Sequence, residues 1–224
     1  MLLTLAVVPV IIFLIFVYIK DKYEKEPLAL LFMGAIYGIF LVVPVMCVDV
    51  FLVNTELNLL YPEVFQAFIM SAGNEEMFKF IFLFFLIFRN KNFNEPVDGI
   101  IYSVFISLGF ALGENIVYVF NPEIGGFQTA FLRGITSIPA HMFFAISMGY
   151  YFARWRYLKY GNINLLLSFA VPWMIHGCYN FILLTEIKYY EIVFVTYFLA
   201  MGIISIFMFK KHLDISPYKF LKKK

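Results

Sequence analysis

The sequence predicts an all-α, polytopic membrane helix bundle of about seven transmembrane helices, with the N-terminus outside and the C-terminus cytoplasmic. Of the 224 residues, 62% are hydrophobic and 14% are charged, and the mean hydropathy is +0.85. A typical soluble domain is about half apolar and a quarter charged. This composition excludes soluble and disordered classes and a nucleic-acid binder. The net charge of +2 is too small to indicate a polyanionic partner.

The apolar residues form runs that are long enough to cross a hydrocarbon core, which takes about 20 helical residues. The seven predicted spans are Leu2 to Ile19, Leu28 to Val53, Val64 to Phe88, Gly99 to Phe120, Phe127 to Ala153, Ile163 to Leu184 and Ile192 to Phe209. The connections are too short for a separate soluble domain. Residues 1–224 are therefore predicted to form a single integral-membrane domain.

The ends of the spans carry ordinary start and stop signals. No basic segment precedes the first span and no small-residue cleavage site follows it, so it is interpreted as a retained helix rather than a signal peptide. Glu95-Pro96 precedes the fourth span, with Asp98 as the predicted N-cap. The turn-forming pairs Asn-Pro and Gly-Gly precede the fifth span, and Gly-Asn precedes the sixth.

The basic residues predict the orientation, because Lys and Arg near span ends are retained in the cytoplasm. Every Lys and Arg outside the spans, except Lys188, falls in the odd-numbered loops or in the C-terminal tail. They are Lys20, Lys22, Lys25, Arg89, Lys91, Arg154, Arg156, Lys159, Lys210, Lys211, Lys219, Lys222, Lys223 and Lys224. The odd-numbered loops and the tail are thus predicted to be cytoplasmic.

Polar residues inside the membrane indicate where function lies, since an ionisable group at the bilayer centre costs at least about 2.5 to 3.5 kcal/mol. They occur in four consecutive spans. The set comprises Asn74-Glu75-Glu76 and Lys79 in the third span, Glu114 and Asn115 in the fourth, Arg133 and His141 in the fifth, and His176 and Asn180 in the sixth. At a rise of about 1.5 Å per residue, the acidic and histidine members lie about 9 to 21 Å below the predicted outer surface. We therefore expect one shared polar cavity.

Helical spacing predicts which of these side chains are neighbours. Lys79 is four residues from Glu75 and three from Glu76, so one lysine can neutralise one carboxylate and leave the other free to exchange a proton. Adjacent glutamates point about 100° apart, so only one of them faces the reacting centre. His176 and Asn180 share one helix face.

Each residue also has a structural interpretation. The Glu75-Glu76-Lys79 group can be an ion pair that locks helices together. Each histidine can make an interhelical hydrogen bond. Arg133 can extend its guanidinium to the membrane surface rather than bind a carboxylate.

The motifs resemble those of the PrsW-type intramembrane proteases, which are related to the CAAX prenyl endopeptidases and the Abi-type membrane proteases. The resemblance covers nearly the whole chain. Its motifs are Lys20-Asp21-Lys22-Tyr23-Glu24-Lys25-Glu26-Pro27, Glu75-Glu76-x-x-Lys79, Asp98-Gly99-Ile100-Ile101-Tyr102, Phe110-x-x-x-Glu114-Asn115, Arg133 through Pro139 to His141, and His176-Gly177-x-Tyr179-Asn180. The prenyl endopeptidases have histidine where this chain has Glu114.

The resemblance implies a protease in the plasma membrane of a Gram-positive bacterium. Its substrate would be a single-span anti-sigma factor, cut first on the extracytoplasmic side in response to envelope stress. The resemblance places Glu75, Glu76, His141, His176 and Asn180 in the catalytic positions. Lys79, Glu114, Asn115 and Arg133 are interpreted as supporting residues.

A mechanism follows from what peptide hydrolysis needs in an apolar medium: a water, a base, oxyanion donors and an acid. Glu75 is the predicted base, and Glu76 with Lys79 is its electrostatic brace. His176 and Asn180 are the predicted oxyanion donors, and His141 is predicted to orient the water or to relay a proton. No cofactor is expected. The alternative is zinc held by His141, His176 and Glu76, with one glutamate left as the base.

Two other functional classes stay open at the level of sequence. A proton-coupled or cation-coupled transporter would use the same polar groups as a relay. A catalytically silent helper would bind transmembrane segments without cutting them. A substitution of Glu75 separates these classes, because it abolishes cleavage only in a protease.

Overall fold

The computed structural model describes residues 1–185 and 188–219, which contain helices and no strand. Lys222, Lys223 and Lys224 of the predicted basic tail lie outside these residues. The helices are α1 (Leu2–Lys20), α2 (Leu28–Leu52), α3 (Glu56–Leu60), α4 (Pro62–Val64), a π-helix (Phe65–Gly73), α5 (Asn74–Ile87), α6 (Pro96–Val119), α7 (Phe127–Ile135), α8 (Ser137–Arg156), α9 (Ile163–Thr185) and α10 (Tyr190–Asp214). The all-α prediction is confirmed.

Five helices are long and apolar enough to cross a membrane, namely α1, α2, α6, α9 and α10. The third and fifth predicted spans are interrupted instead of being single α-helices. The third consists of α4, the π-helix and α5, and the fifth consists of α7 and α8. The chain is a multi-pass membrane protein, whereas seven complete crossings and their orientation stay predictions.

Helix α6 forms the centre of the bundle, and most of it is buried, while the other four candidate spans are mostly uncovered. Glycines let its neighbours approach closely. A Cβ on Gly109 would lie 2.1 Å from the carbonyl oxygen of Ala35, and one on Gly38 would lie 2.1 Å from that of Ile106. Nearer the start of α6, a Cβ on Gly149 would lie 2.2 Å from the carbonyl oxygen of Gly99. Backbone contact with α2 and α8 therefore fixes the position of α6.

The start of α6 differs from the prediction that Asp98 is the N-cap. The N-cap is Glu95, and Asp98 lies at the third helical position of a capping box. Asp98 Oδ2 accepts hydrogen bonds from the backbone N–H groups of Asn94 (2.8 Å) and Glu95 (2.7 Å). Pro96 occupies the first helical turn, where its missing N–H has no effect. The helix thus begins two residues before the acid that the sequence indicated.

Both interrupted spans break next to the polar residues. The π-helix ends at Gly73, and α5 begins with Asn74, Glu75 and Glu76. Helices α7 and α8 separate at Thr136, just before Pro139 removes a backbone donor from the first turn of α8. In contrast, α9 continues through Pro172. Such irregular backbone inside a membrane is typical of protein-lined cavities and functional sites.

Candidate active site

One hydrogen-bonded cluster contains the side chains that the sequence singled out. They come from α5, α6, α7, α8 and α9. Its members are Glu75, Glu76, Lys79, Glu114, Asn115, Arg133, His141, His176 and Asn180. The structure therefore brings all nine predicted site residues together within the bundle.

Lys79 lies at the centre of the acidic half of the cluster. Its Nζ atom lies 3.1 Å from Glu75 Oε2 and 2.9 Å from Glu76 Oε1. It also lies 3.2 Å from His141 Nδ1 and 4.2 Å from the centre of the Phe110 ring. Lys79 is only 1% exposed and Glu76 is fully buried. The ammonium group thus joins α5 to α8 while it neutralises a buried carboxylate.

The hydrogen bonds of His141 fix its tautomer. An ammonium group can only donate, so His141 Nδ1 accepts from Lys79. His141 Nε2 lies 3.0 Å from Glu114 Oε2, and a carboxylate can only accept, so Nε2 carries the hydrogen. Both ring nitrogens are therefore engaged, and the imidazole is neutral in this arrangement.

His176 is held differently, with one ring nitrogen left for a ligand. Its Nδ1 lies 3.0 Å from Glu76 Oε1, and the carboxylate accepts, so Nδ1 carries a hydrogen. Its ring stacks on Phe144 with ring centres 4.4 Å apart. Because Nδ1 is bound to Glu76, the group that His176 can offer to a ligand is Nε2.

Arg133 pairs with a carboxylate, which resolves its two sequence-level interpretations. Its guanidinium lies 2.7 Å from Glu114 Oε2, and its Nε donates to Asn115 Oδ1 at 3.0 Å. Asn115 in turn donates to the carbonyl oxygen of Ala6 at 3.0 Å. Arg133 and Asn115 therefore hold Glu114, and Glu114 holds His141.

Two adjoining cavities reach this cluster. The larger, of about 560 Å³, contacts Glu75, Glu114 and Asn180 and has apolar walls from α2, α6 and α9. The smaller, of about 70 Å³, contacts His141, His176 and Asn180. Ser71, Glu114, Tyr118 and Asn180 line both cavities. The smaller chamber has room for about two water molecules at roughly 30 Å³ each.

The two adjacent glutamates differ in their access to these cavities. Glu75 lines the larger cavity and is 5% exposed, whereas Glu76 lines neither cavity and is fully buried. This difference agrees with the expectation that only one of them faces the reacting centre. The roles assigned to the two residues stay predictions.

Sequence reasoning missed Ser71 and Asp49. Ser71 Oγ donates to Glu75 Oε1 at 3.3 Å and accepts from Asn180 Nδ2 at 2.9 Å. Its spacing of four residues before Glu75 is a signal that the sequence did contain. Asp49 accepts a hydrogen bond from Asn74 at 2.8 Å and lines the larger cavity. Asp49 is too far from α5 in the sequence for helical spacing to predict this contact.

The active-site cluster has a net charge of −1 when both histidines are neutral and all three carboxylates are ionised. Its carboxylates are Glu75, Glu76 and Glu114, and its permanent cations are Lys79 and Arg133. A low-dielectric environment penalises net charge strongly. One additional proton, on His176 or on Glu75, makes the cluster neutral.

The donor set also has the chemistry of a metal site, since imidazole nitrogens and carboxylates are common zinc ligands. Two triplets have ligand atoms within 4.8 Å of one another: Glu75, Glu114 and His141, and Glu75, Glu76 and His176. The second suits a metal better, because both nitrogens of His141 are already engaged. Glu76 Oε2 is buried and has no hydrogen-bond partner among the described residues. The hydrogen bond from His176 to Glu76 also resembles those that orient metal-binding histidines.

The position of Lys79 restricts metal binding by Glu75, Glu76 and His176. Its ammonium already occupies the space between Glu75 and Glu76. An ion of charge +2 together with Arg133 would neutralise the three carboxylates without Lys79. Metal binding would therefore require the ammonium to lose its proton or to withdraw.

The comparisons with known proteins agree with these motifs. Residues 26–208 match a family described as the PrsW family intramembrane metalloprotease. Protease PrsW of Clostridioides difficile (strain 630) is 34% identical over 223 residues, which cover 96% of this chain and 93% of that protein. Protease PrsW of Oceanobacillus iheyensis is 34% identical over 93% of this chain and 94% of its own length. Protease PrsW of Bacillus subtilis (strain 168) is 32% identical over 88% and 90%.

No solved structure matches the chain. The family match and the relatives cover nearly the whole sequence. The chain belongs to the PrsW family of intramembrane proteases.

Proposed function

We propose that this protease makes the first cut in a single-span anti-sigma factor, and that Glu75 activates the attacking water. The observation that carries the proposal is the position of Glu75. It is the member of the glutamate pair that faces the larger cavity, next to the chamber at His141 and His176. A peptide in the larger cavity would bring its scissile carbonyl between Glu75 and that chamber.

Glu75 is supplied with the contacts that a general base needs. Lys79 contacts Oε2, and Ser71 donates to Oε1. Asn180 holds Ser71 through its own hydrogen bond. These contacts fix the direction of the carboxylate before the substrate arrives. A positioned base of this kind contributes about 10²- to 10⁴-fold to the rate.

Glu76 has the different task of holding His176. It accepts hydrogen bonds from both Lys79 and His176 on the same oxygen. The additional proton that neutralises the cluster can reside on His176, with Nδ1–H directed to Glu76 and Nε2–H available to the chamber. His176 and the second amide hydrogen of Asn180 would then donate to the oxyanion as the water attacks.

Proton transfer completes the reaction. Glu75 takes a proton from the water as its oxygen attacks the carbonyl carbon. The leaving amine then takes a proton from Glu75 or His176. His141 is held between Lys79 and Glu114, and it positions these two charged groups beside the chamber rather than binding the water or acting as the base, since both of its nitrogens are occupied.

The same residues would bind a metal in the alternative form of this mechanism. His176, Glu75 and Glu76 would hold it, and a bound zinc ion would supply a water that is acidic enough to attack at neutral pH. Glu75 and Glu76 could not then both retain Lys79 as their partner. Elemental analysis of active protein, with a chelator control, distinguishes the two forms.

In the predicted orientation, the larger cavity lies on the extracytoplasmic side, where the proposed cut would occur. Its lining includes Asn121 and Ile124, which follow α6 in a predicted outer loop, and Asp49 near the end of α2. We place the protein in the bacterial plasma membrane, with the lipid bilayer as its medium. The apolar walls of the cavity suit a transmembrane segment that unwinds near its outer end.

Co-reconstitution tests the substrate class. The purified protease is placed in vesicles with candidate single-span anti-sigma factors, and the fragments are identified by mass spectrometry. The proposal predicts cleavage near the outer end of the substrate helix, with no fragments from the Glu75→Gln variant. Cleavage within the cytoplasmic domain, or cleavage only of unrelated membrane proteins, would contradict it.

A further inference from the structure

A second buried acidic cluster lies at the opposite end of α6 from the larger cavity. It combines the segment between α1 and α2 with the first turn of α6. Asp21, Glu26, Glu95 and Asp98 are at most 1% exposed, and Glu24 is half-buried. None of these carboxylates belongs to the active site described above.

Hydrogen bonds within the protein reach only some of the carboxylate oxygens in this cluster. Asp98 Oδ2 caps the start of α6, and Glu26 Oε2 accepts a hydrogen bond from the Tyr102 hydroxyl. Three other buried oxygens have no hydrogen-bond donor among the described residues. They are Glu24 Oε2, Glu26 Oε1 and Asp98 Oδ1. Oxygens of this kind are rare in folded proteins and indicate a missing proton, water or ion.

Asp21 provides an independent indication of a positive ligand. It is fully buried, and its carboxylate receives no side-chain hydrogen bond among the described residues; the donor close to it is the backbone N–H of Glu26. The charges of Glu95 and Glu24 act on it unfavourably. Lys25 acts in the opposite sense, but its ammonium contacts the backbone carbonyls of Tyr18 and Asp21.

Two of the carboxyl groups also face one another directly. Glu26 and Asp98 lie within hydrogen-bonding reach, although both are acceptors when ionised. Two acceptors at this distance need a shared proton or a cation between them. The same need arises in the group of Glu24, Glu95 and Asp98, whose nearest oxygens all lie within 4.8 Å of one another.

The oxygen-only ligand set, with separations of up to 4.8 Å, suits a larger hard cation. Calcium binds oxygen at about 2.3 to 2.6 Å, so two of its ligands can be up to about 5 Å apart. Magnesium binds at about 2.0 to 2.1 Å, which limits the separation to about 4 Å. A set of ligands that contains only oxygen favours hard cations over zinc.

We propose that Glu24, Glu95 and Asp98 form a binding site for a hard divalent cation of the size of Ca²⁺, next to Asp21 and Glu26. The site is separate from peptide hydrolysis and does not depend on the anti-sigma factor proposal. The bound ion ties the connection between α1 and α2 to the first turn of α6. Because α6 also carries Glu114 and Asn115, the ion stabilises a helix that contributes two of the nine residues of the candidate active site.

Binding can be measured on the intact protein without any variant. Tb³⁺ substitutes for Ca²⁺ and luminesces when a nearby tyrosine absorbs light, and Tyr102 contacts the cluster through Glu26. The proposal predicts tyrosine-sensitised Tb³⁺ luminescence in chelator-treated protein, displaced by Ca²⁺ and more weakly by Mg²⁺. Absence of this luminescence, or stronger displacement by Mg²⁺ than by Ca²⁺, would overturn the assignment.

A thermal shift then locates the site. Saturating Ca²⁺ should raise the Tm of chelator-treated wild type by about 5 °C or more. Glu24→Gln should reduce this shift to below about 1 °C, while the control Glu123→Gln, at an exposed carboxylate in a predicted outer loop, should retain it. Asp21→Asn provides a second variant if Glu24→Gln does not fold, and it should weaken the shift. Equal shifts in all variants would overturn the proposal, as would no shift in wild type.

Discussion

His176 and Glu76 lie 100 residues apart in the chain, yet His176 Nδ1 is 3.0 Å from Glu76 Oε1. The contact joins α9 to α5 and gives the two adjacent glutamates different surroundings. Glu76 is held between a lysine and a histidine, while Glu75 remains at the wall of the larger cavity.

The first prediction concerns this difference. Glu75→Gln should lower cleavage by at least about 10²-fold with little change in stability, because it removes a base at a cavity wall. Glu76→Gln should lower both cleavage and stability, the latter by about 3 to 5 kcal/mol, because Lys79 and His176 lose a fully buried counter-ion. Cleavage assays and denaturant unfolding of both variants measure these effects. A stable and active Glu76→Gln protein would contradict the role given to Glu76.

The second prediction concerns Arg133 and Glu114, whose charges are 2.7 Å apart. Arg133→Met alone should destabilise the protein by about 3 to 5 kcal/mol, because it leaves a carboxylate inside the bundle without its main cation. Adding Glu114→Gln should recover a large part of that loss. A double-mutant cycle on unfolding free energies measures the coupling. Strictly additive effects would show that the pair is not coupled.

The third prediction concerns the contact between α2 and α6. Gly109→Ala should destabilise the protein by about 1 to 3 kcal/mol, because its Cβ would press on the backbone of Ala35. Gly34→Ala, on the same interface, is the matched control. Its nearest neighbours would be side-chain atoms of Ile106 and Leu86 at 3.5 and 3.6 Å, an ordinary contact distance. Unfolding measurements that rank the two variants in the opposite order would contradict this packing.

The fourth prediction concerns pH and Asp21. Burial, followed by the charge of Glu95, raises the pKa of Asp21 from 3.8 to about 7, while Lys25 opposes the shift. The folded protein thus holds this proton more tightly than the unfolded chain does. The resulting stability is fully present below pH 4 and is lost as the pH rises through about 7.

Thermal unfolding in chelator between pH 5 and pH 8 checks this sign. Wild type should lose stability across this range, by an amount on the order of 2 kcal/mol from Asp21. Asp21→Asn should show a flatter profile. A wild-type Tm that rises with pH, or a variant with an unchanged slope, would contradict the prediction.

The sequence was sufficient to predict the helical class and to single out nine polar residues that the structure brings together, and the reason is physical. Polar groups are so unfavourable in a membrane that Glu75, His141 and His176 stand out against apolar surroundings. Their contacts could be predicted only where helical spacing connects them, as between Lys79 and the two glutamates.

The remaining features depend on long-range packing, which has no local signal. The contact between Asp49 and Asn74 joins residues 25 apart on different helices. The break at Thr136 and the π-helix before Asn74 interrupt spans that are apolar enough to look continuous. The acidic cluster around Asp21 combines two predicted loop segments, and it forms because α6 begins at Pro96 rather than beyond Asp98.

Single-turnover cleavage by metal-free protein measures the central claim most directly. Protease stripped with chelator, and shown by elemental analysis to lack zinc, is mixed in vesicles with a single-span anti-sigma factor. We predict that wild type still cuts near the outer end of the substrate helix and that Glu75→Gln does not, while Glu123→Gln cuts at the wild-type rate. Cleavage by Glu75→Gln at a rate close to that of wild type, or cleavage that returns only when zinc is restored, would contradict Glu75 as the residue that activates water without a metal.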